Sequence, residues 1–367
     1  MAPDTTSTTT MQCITAPRYT SPAAYELTTL PRPEVTDAND VLIQVHAASV
    51  NPIDVKKASG ALKAAFKDQF PYKIGYDCAG VVQRVGGGVT SFQEGDEVFV
   101  RLPEPSRGSL AEYVKCPDRF LALKPPALSF GDAASLPLAA MISLQALRKY
   151  RGSLEGKTVF IPAALSGTGA YACQLAKNVF SAGKVITSVS TAKVARVPEL
   201  LGEGVVDQII DYTTTSVHTS IPPQSIDFLL DTTGQAMSFL SLMVPHTSRI
   251  VSISTSPSGA QLQECQMMKR PHGLPPVQVP SWVRMTLNVT DGVRQLRAKR
   301  WGVEYGYLFL EPNGEDLRTL SGYVAEGKLR PVVGRRVDLR DLEGVREACS
   351  TVYGGKGGVG KVVVNVR

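Results

Sequence analysis

A buried strand that leads into a glycine-rich turn and then a helix is the feature that most constrains this sequence. The strand is predicted at 158–161 and the turn at 166–169, and apolar residues at helical spacing follow as far as Val179. Further short apolar runs come later, some separated by helix-length segments, at 185–189, 206–210, 226–230, 249–253 and 303–310. Because parallel neighbouring strands need crossover connections, this alternation predicts an α/β fold with a parallel sheet.

The glycine-rich turn is a candidate phosphate cradle. Ser166, Gly167, Thr168 and Gly169 follow a strand and open a helix, which is the context that a dinucleotide site requires. Backbone N–H groups and the positive end of the helix would face a pyrophosphate. The G-x-G-x-x-G pattern is imperfect, since Ala164 and Ser166 replace its first two glycines. A plain strand–turn–helix therefore remains an alternative.

The residues after the second strand favour NADPH over NADH. A site for NADH places Asp or Glu there, whereas this chain has Ser190, Thr191 and Lys193. A hydroxyl group and a cation suit a 2′-phosphate. The alternative is that Lys193 is a solvated surface lysine.

Composition excludes several other classes of protein. The chain has 367 residues, of which 43% are apolar and 20% charged, so it can bury sizeable cores. No apolar run approaches the ~20 residues of a membrane-spanning helix, and we expect a soluble protein that does not engage a membrane. The net charge of +6 is spread along the chain and is too weak to predict nucleic-acid binding. Six scattered cysteines and the lack of a secretory signal predict a cytoplasmic protein.

The N-terminal third has a different pattern. Residues 1–11 are rich in threonine and lack apolar periodicity, so we expect a disordered tail. From 12 to 126, short strands separated by proline and glycine turns predict an irregular β domain.

A second glycine-rich segment, at 355–361, resembles a phosphate-binding P-loop. Val362 follows Lys361 where a P-loop needs Ser or Thr, and the final residues are patterned as a strand and not as a helix. We therefore expect a loop that leads into a closing strand, and no nucleotide hydrolysis.

Six short segments in a fixed order resemble the medium-chain dehydrogenase/reductase superfamily, in its zinc-independent quinone and enoyl reductase branch. They lie at 50–54, 75–82, 92–98, 134–139, 229–231 and 360–363. Within that branch, the chain is similar to NADPH-dependent ene reductases, including trans-acting enoyl reductases of fungal polyketide pathways. The resemblance implies a GroES-like β-barrel catalytic domain, at 12–126 and 312–367. This domain would be split around a Rossmann NADPH-binding domain with a doubly wound parallel sheet, at 127–311.

The same segments bear on metal binding. A catalytic zinc site needs three Cys, His or carboxylate ligands and an open position. Where zinc-dependent relatives have two of these ligands, a Cys and a His, this chain has Asn51 and Tyr76. We therefore expect no metal ion.

The resemblance implies that NADPH donates hydride to the activated C=C bond of an enone, enoyl thioester or quinone, in a pathway of secondary metabolism. It gives Lys56 and Tyr76 as catalytic candidates, and Asn51, Asp54 and Ser143 as substrate-binding ones, with Ser143 near the nicotinamide. A surface lysine and an aromatic ring packed at the cleft wall are the alternatives for Lys56 and Tyr76. The implied cofactor-binding residues are Ser166, Gly167, Thr168 and Gly169 at the pyrophosphate, and Ser190, Lys193 and Tyr212 at the 2′-phosphate.

Three hypotheses about the role of the protein remain open. The favoured one is a reductase of a small unsaturated carbonyl compound or quinone. The second is a polyketide-pathway enzyme, acting either as an enoyl reductase on a carrier-bound substrate or in a non-redox cyclisation. The third is a protein that binds NADPH without turnover. The basic segment at 294–300 predicts either a solvated helix face or a docking patch for an acyl carrier protein or polyketide synthase. A monomer and a homodimer are both consistent with the sequence.

Overall fold

Strands from the two ends of the chain meet in one sheet. The computed structural model describes residues 9–65, 67–268, 277–355 and 358–367. Within these residues the first unit contains the strands β1 (Thr10–Ala16), β2 (Glu26–Pro31), β3 (Asp40–Val50), β4 (Tyr72–Lys73), β5 (Asp77–Val85), β6 (Glu97–Arg101), β7 (Tyr113–Pro117), β8 (Leu121–Leu123), β15 (Val333–Asp338) and β16 (Lys361–Asn365). The last of these, β16, runs antiparallel to β3, with Val362 opposite Val50. The C-terminal segment therefore completes a domain that the N-terminal segment begins.

This first unit is the GroES-like domain. Its larger sheet has the order β15-β16-β3-β5-β6-β8, with β7 also paired to β3, and a smaller sheet has the order β2-β1-β4. Most of β3 is buried because it is a central strand, paired with β5 and β7 as well as with β16. Asn51 follows the C-terminal end of β3 and lies at the junction with the second unit.

The second unit is a Rossmann-type sheet. Its strands are β9 (Thr158–Pro162), β10 (Lys184–Val189), β11 (Gln208–Asp211), β12 (Phe228–Asp231), β13 (Arg249–Ser252) and β14 (Glu304–Tyr307). All pairs are parallel, and the order is β11-β10-β9-β12-β13-β14. The order changes direction at β9, where a doubly wound sheet opens a crevice for a ligand.

Ten α-helices accompany the sheets in the described residues. They are α1 (Pro52–Ala58), α2 (Phe130–Ala134), α3 (Pro137–Leu147), α4 (Gly167–Asn178), α5 (Arg196–Leu201), α6 (Val217–Ser220), α7 (Gly259–Glu264), α8 (Ser281–Arg300), α9 (Gly314–Ala325) and α10 (Leu342–Gly354). None of them is long and apolar enough to cross a membrane.

The two units share a core. Phe99 and Ala122 of the barrel pack in the same buried cluster as Leu136, Leu144 and other residues around the parallel sheet. The barrel strands lie within 10–123 and 333–365 and the parallel strands within 158–307. The predicted boundaries near 127 and 312 lie between these ranges and remain predictions.

The structure corrects three details of the sequence prediction. The tail predicted at 1–11 is too long, because β1 begins at Thr10 and Met11 packs against Ala111; residues 1–8 lie outside the described part of the chain. The helix expected at 132–150 is two helices, since Pro137 starts a new one. The strand expected at 303–310 ends at Tyr307, and the next three residues line the cleft described below. The closing strand after the second glycine-rich segment is confirmed as β16.

Candidate active site

A cleft of about 1510 Å³ lies where the two units meet. Its walls include Asn51 and Lys56 of the barrel, Ser166 and Gly167 at the start of α4, and Ser190 after β10. The two ends of the predicted site, for cofactor and for substrate, therefore open into one space.

The turn between β9 and α4 has the strand–turn–helix form that was predicted for the cradle. Ser166 caps α4, and its Oγ accepts a hydrogen bond of 3.0 Å from the backbone N–H of Gly169. A Cβ at Gly169 would collide with the carbonyl oxygen of Ala163, so only glycine fits there. Ser166, Gly167 and Thr168 line the cleft, whereas Gly169 lies beneath it. Helix α4 has 12 residues, and its first turn opens into the cleft. The backbone N–H groups and the positive end of the helix dipole there suit the binding of a pyrophosphate.

A second group of polar residues lies beside the ends of β10 and β11. Ser190, Lys193 and Tyr212 all line the cleft, as does Arg196, which the sequence analysis missed although it follows Lys193 by three residues. Within the described residues neither cation forms an ion pair, and Lys193 donates instead to the carbonyl oxygen of Gly358 at 2.5 Å. Burial and, less strongly, Arg196 lower the pKa of Lys193. Two cations without a carboxylate partner fit a 2′-phosphate.

At the substrate end, Asn51 is fixed by three contacts. Its side-chain Nδ2 donates to Asp77 at 2.8 Å, its Oδ1 accepts from the ammonium group of Lys361, and its backbone N–H donates to Asp54 at 2.6 Å. Asp54 is fully buried and does not line the cleft. The expectation that Asp54 contacts the substrate is therefore wrong. Its carboxyl group instead accepts the backbone hydrogen bond of Asn51 and so stabilises the first turn of α1.

Lys361 is the residue at this end that the sequence analysis did not select. It is 3% exposed, lines the cleft, and also donates to the carbonyl oxygen of Val50 at 3.3 Å. Its Nζ lies 3.6 Å from Oδ2 of Asp77. Burial lowers the pKa of Lys361 and raises the pKa of Asp77; for Asp54, burial and then Asp77 raise the pKa to about 7. The only sequence signal for Lys361 was its place in the 360–363 segment.

Two further cations line the cleft. Lys56 lies on α1, and Arg101 ends β6. Arg101 is 7% exposed; its NH1 donates to Leu102, and its Nε has no partner in the part of the chain that the structure describes. Lys56 and Arg101 can stabilise negative charge that develops on an oxygen atom, whereas the donors of Lys361 are directed at Val50, Asn51 and Asp77.

Tyr76 and Ser143 do not lie where the sequence predicted them. Tyr76 is completely buried, its hydroxyl donates to Glu104 at 2.6 Å, and it does not line the cleft. Burial and Glu104 raise its pKa well above the usual range for tyrosine. Ser143 is also buried and donates to the carbonyl oxygens of Ala139 and Thr168, at 2.8 and 3.2 Å. It supports the cradle from beneath and does not contact the space in the cleft.

The same positions offer no set of metal ligands. In the described residues, no group of three or more His, Cys, Asp and Glu side chains could hold a metal ion. Asn51 and Tyr76, which replace the expected ligands, are both engaged with acidic side chains. The absence of zinc remains a prediction.

Comparison with known proteins identifies the family. Residues 37–126 match the model of the alcohol dehydrogenase GroES-like domain, and residues 206–364 match that of zinc-binding dehydrogenases. The mouse mitochondrial NAD(P)H oxidoreductase RTN4IP1 is 32% identical over 350 residues, which are 89% of this chain and 82% of the mouse protein. The chain belongs to the medium-chain dehydrogenase/reductase superfamily.

Two other relatives agree with this assignment. The 2-methylene-furan-3-one reductase of Solanum lycopersicum is 39% identical over 203 residues, 54% of this chain, and the match spans 50% of that relative's length. The structure of the quinone oxidoreductase from Coxiella burnetii has a TM-score of 0.77 and 29% identity, and the match covers 98% of this chain and 100% of that one. The predictions of an oxidoreductase and of NADPH as its cofactor are confirmed at the level of the superfamily.

Proposed function

We propose that the protein is a zinc-independent, NADPH-dependent reductase that acts on the activated C=C bond of an enone, enoyl thioester or quinone. The observation that carries this proposal is that one cleft is lined both by residues suited to NADPH and by residues suited to an unsaturated carbonyl substrate. At one end lie the α4 cradle and the cations Lys193 and Arg196, which form no ion pair with any described residue. At the other end lie Asn51 and three cations, Lys56, Arg101 and Lys361. The relatives named as reductases of a furanone and of quinones support it.

In this proposal, bound NADPH supplies hydride to the electron-poor carbon of the substrate. The protein's own contribution is to hold the substrate oxygen. Lys56 and Arg101 present cationic N–H groups into the cleft, where they stabilise the negative charge of an enolate or a reduced quinone. Lys56 is on the exposed side of this group and is the candidate donor of the proton that completes the reduction. Asn51, fixed by Asp77 and Lys361, forms the rigid wall against which the substrate packs.

The apolar part of the cleft favours a substrate that carries an apolar chain. Leu138, Ile142, Leu287 and Phe309 line it together with Tyr307. A carrier-bound enoyl thioester of a polyketide pathway is therefore kept among the candidate substrates, and a role in secondary metabolism is part of this proposal.

The test is turnover by the purified full chain. NADPH oxidation is followed by nicotinamide absorbance with an enone, a quinone, a pantetheine enoyl thioester and the same thioester on an acyl carrier protein. We expect turnover with NADPH that persists after treatment with a zinc chelator. The variant Lys56→Gln should lower kcat about 10²-fold, as removal of a general acid does, without changing the affinity for NADPH. Tight NADPH binding without turnover of any substrate would favour the non-catalytic alternative, and activity restored only by zinc would contradict the proposal.

A further inference from the structure

Arg101 is a buried cation for which the described part of the chain supplies no carboxylate partner. It ends β6, is 7% exposed, and forms no ion pair with any described residue. A guanidinium group stays protonated in proteins, and arginine is rarely buried unless it is paired, because a charge removed from water needs compensation. The charge of Arg101 is therefore available to pair with an anionic group of a ligand.

The acidic residue opposite Arg101 is already engaged. Asp77 faces Arg101 in the pairing of β5 with β6. Its carboxyl oxygens accept hydrogen bonds from Nδ2 of Asn51, at 2.8 Å, and from the backbone N–H of Leu138, at 3.2 Å. Asp77 also pairs with Lys361 at 3.6 Å. Its carboxylate is thus shared among three other groups and forms no ion pair with Arg101.

Glu104 is the one carboxylate on the cleft wall among the described residues, and it is engaged as well. It accepts hydrogen bonds from Lys57, from Nη1 of Arg107 at 2.7 Å and from the hydroxyl of Tyr76 at 2.6 Å. By contrast, six cations of the described chain line the same cleft: Lys56, Arg101, Lys193, Arg196, Arg335 and Lys361. An anion that enters the cleft therefore meets an excess of positive charge.

The guanidinium group of Arg101 is oriented before a ligand binds. Its Cζ lies 4.4 Å from the centre of the Tyr76 ring, and its Nη1 donates to the carbonyl oxygen of Leu102 at 2.7 Å. Its Nη2 forms no hydrogen bond with any described residue, and the side chain lines the cleft. A fixed guanidinium group loses little conformational freedom when it binds an anion, and its N–H groups match the two oxygens of a carboxylate.

We propose that Arg101 binds a carboxylate group of the substrate, so that the unsaturated carbonyl compound reduced by this protein is an organic anion. The inference rests on the proposed function. Neighbouring strands lie about 4.8 Å apart, and β5 carries the Asp77 that fixes Asn51, so this carboxylate lies near the reacting C=C bond. Lys56, exposed on α1, is then the cation that remains for the enolate oxygen.

The test compares acetylacrylate, an enone that carries a carboxylate next to its C=C bond, with its methyl ester. The two compounds differ in intrinsic reactivity, so the quantity to compare is the change in kcat/KM that a substitution causes with each. Arg101→Gln should lower kcat/KM for acetylacrylate at least about tenfold more than for the ester, because a charge-assisted hydrogen bond is lost only with the acid. The loss common to both compounds measures stabilisation of the enolate.

Two further variants serve as controls. Arg101→Lys keeps the charge but loses the paired donors, and it should recover part of the difference. Arg84→Gln removes the same charge from an exposed position of β5 that does not line the cleft, and it should leave kcat/KM for both compounds unchanged.

Two kinetic results would overturn the inference and leave the proposed reductase intact. One is an equal loss with acid and ester in Arg101→Gln. The other is a loss confined to an enoyl thioester of phosphopantetheine, which would assign the charge of Arg101 to a phosphate group.

Binding of a product-like acid separates the inference from turnover. Levulinate, the saturated form of acetylacrylate, is titrated calorimetrically into the full chain in the presence of excess NADP⁺. The wild type should bind levulinate at least about tenfold more tightly than Arg101→Gln does. Binding that depends on Arg101, without turnover of any enone, would support the carboxylate site and contradict the proposed reductase. Equal binding by the two proteins, or no binding by the wild type, would overturn the inference.

Discussion

The ammonium group of Lys361 donates a hydrogen bond to Oδ1 of Asn51, which lies 310 residues earlier in the chain. The pairing of β16 with β3 brings the two residues together at the floor of the cleft. The stem of Lys361 also lies beside the cofactor cradle, since a Cβ added at Gly167 would be 3.0 Å from its Cδ. One buried lysine therefore contacts Asn51, the proposed substrate wall, and lies beside Gly167 in the proposed cofactor cradle.

The first prediction concerns this lysine. Lys361→Met should lower kcat/KM about 10²-fold, because Asn51 loses the group that fixes its carbonyl oxygen and a displacement of about 1 Å in an active site can cost that much. Steady-state kinetics with NADPH and the best substrate from the panel would measure it.

The matched control is Lys124→Met. Lys124 is also a buried barrel lysine and pairs with Glu97, but it does not line the cleft. Both variants should lose stability, because Lys361→Met leaves the buried carboxylate of Asp77 without its cation and Lys124→Met removes the donor to the carbonyl oxygens of Pro125 and Leu128. Only Lys361→Met should lose activity. Equal kinetic losses in the two variants would show that Lys361 acts through stability alone.

The second prediction concerns the choice of cofactor. Lys193→Ala and Arg196→Ala should each raise the KM for NADPH about tenfold or more, since a hydrogen bond to a charged group contributes about 1.5–3 kcal/mol. The KM for NADH should change little, because NADH has no 2′-phosphate. Kinetics with both nucleotides would test this, and Lys177→Ala, which breaks an ion pair with Asp207 away from the cleft, is the control. Parallel losses with NADPH and NADH would contradict the assignment.

The sequence was informative where function depends on neighbouring residues. The strand, turn and helix around Gly167, and the polar residues at 190 and 193, follow one another in the chain, so local patterns were enough to predict them. Lys361 and Arg101 reach the cleft through strand pairing between distant segments, which no local pattern encodes. Tyr76 was misplaced because its partner Glu104 lies 28 residues away, and only the fold shows that its ring is enclosed.

The third prediction follows from that correction. Tyr76→Phe should leave kcat within about twofold of the wild type, because the hydroxyl does not reach the cleft. It should lower the melting temperature, since the buried Glu104 loses a hydrogen bond that contributes about 1.5–3 kcal/mol when one partner is charged. Calorimetry and steady-state kinetics on the same preparation would separate the two effects. A large fall in kcat with unchanged stability would contradict this prediction and indicate that the hydroxyl of Tyr76 takes part in catalysis.

The fourth prediction concerns Asp54 and pH. Burial raises the pKa of this carboxyl group from 3.8 to about 7 in the folded protein. Between these values the native state holds a proton that the unfolded chain has released. The contribution of Asp54 to stability is therefore fully present below the unfolded value and is lost as the pH rises toward 7. A shift of about three units corresponds to a contribution on the order of 4 kcal/mol.

The variant Asp54→Asn isolates this contribution because an amide does not titrate. Its carbonyl oxygen can still accept the hydrogen bond from the backbone N–H of Asn51, so α1 keeps its start. Melting temperatures of wild type and variant, measured from pH 4 to pH 8, should therefore diverge, with the wild type losing stability relative to the variant as the pH rises. Other carboxyl groups titrate in both proteins, and their effect cancels in the difference. Parallel curves across this range would mean that Asp54 is already ionised in the folded protein, with Lys361 as its counter-charge.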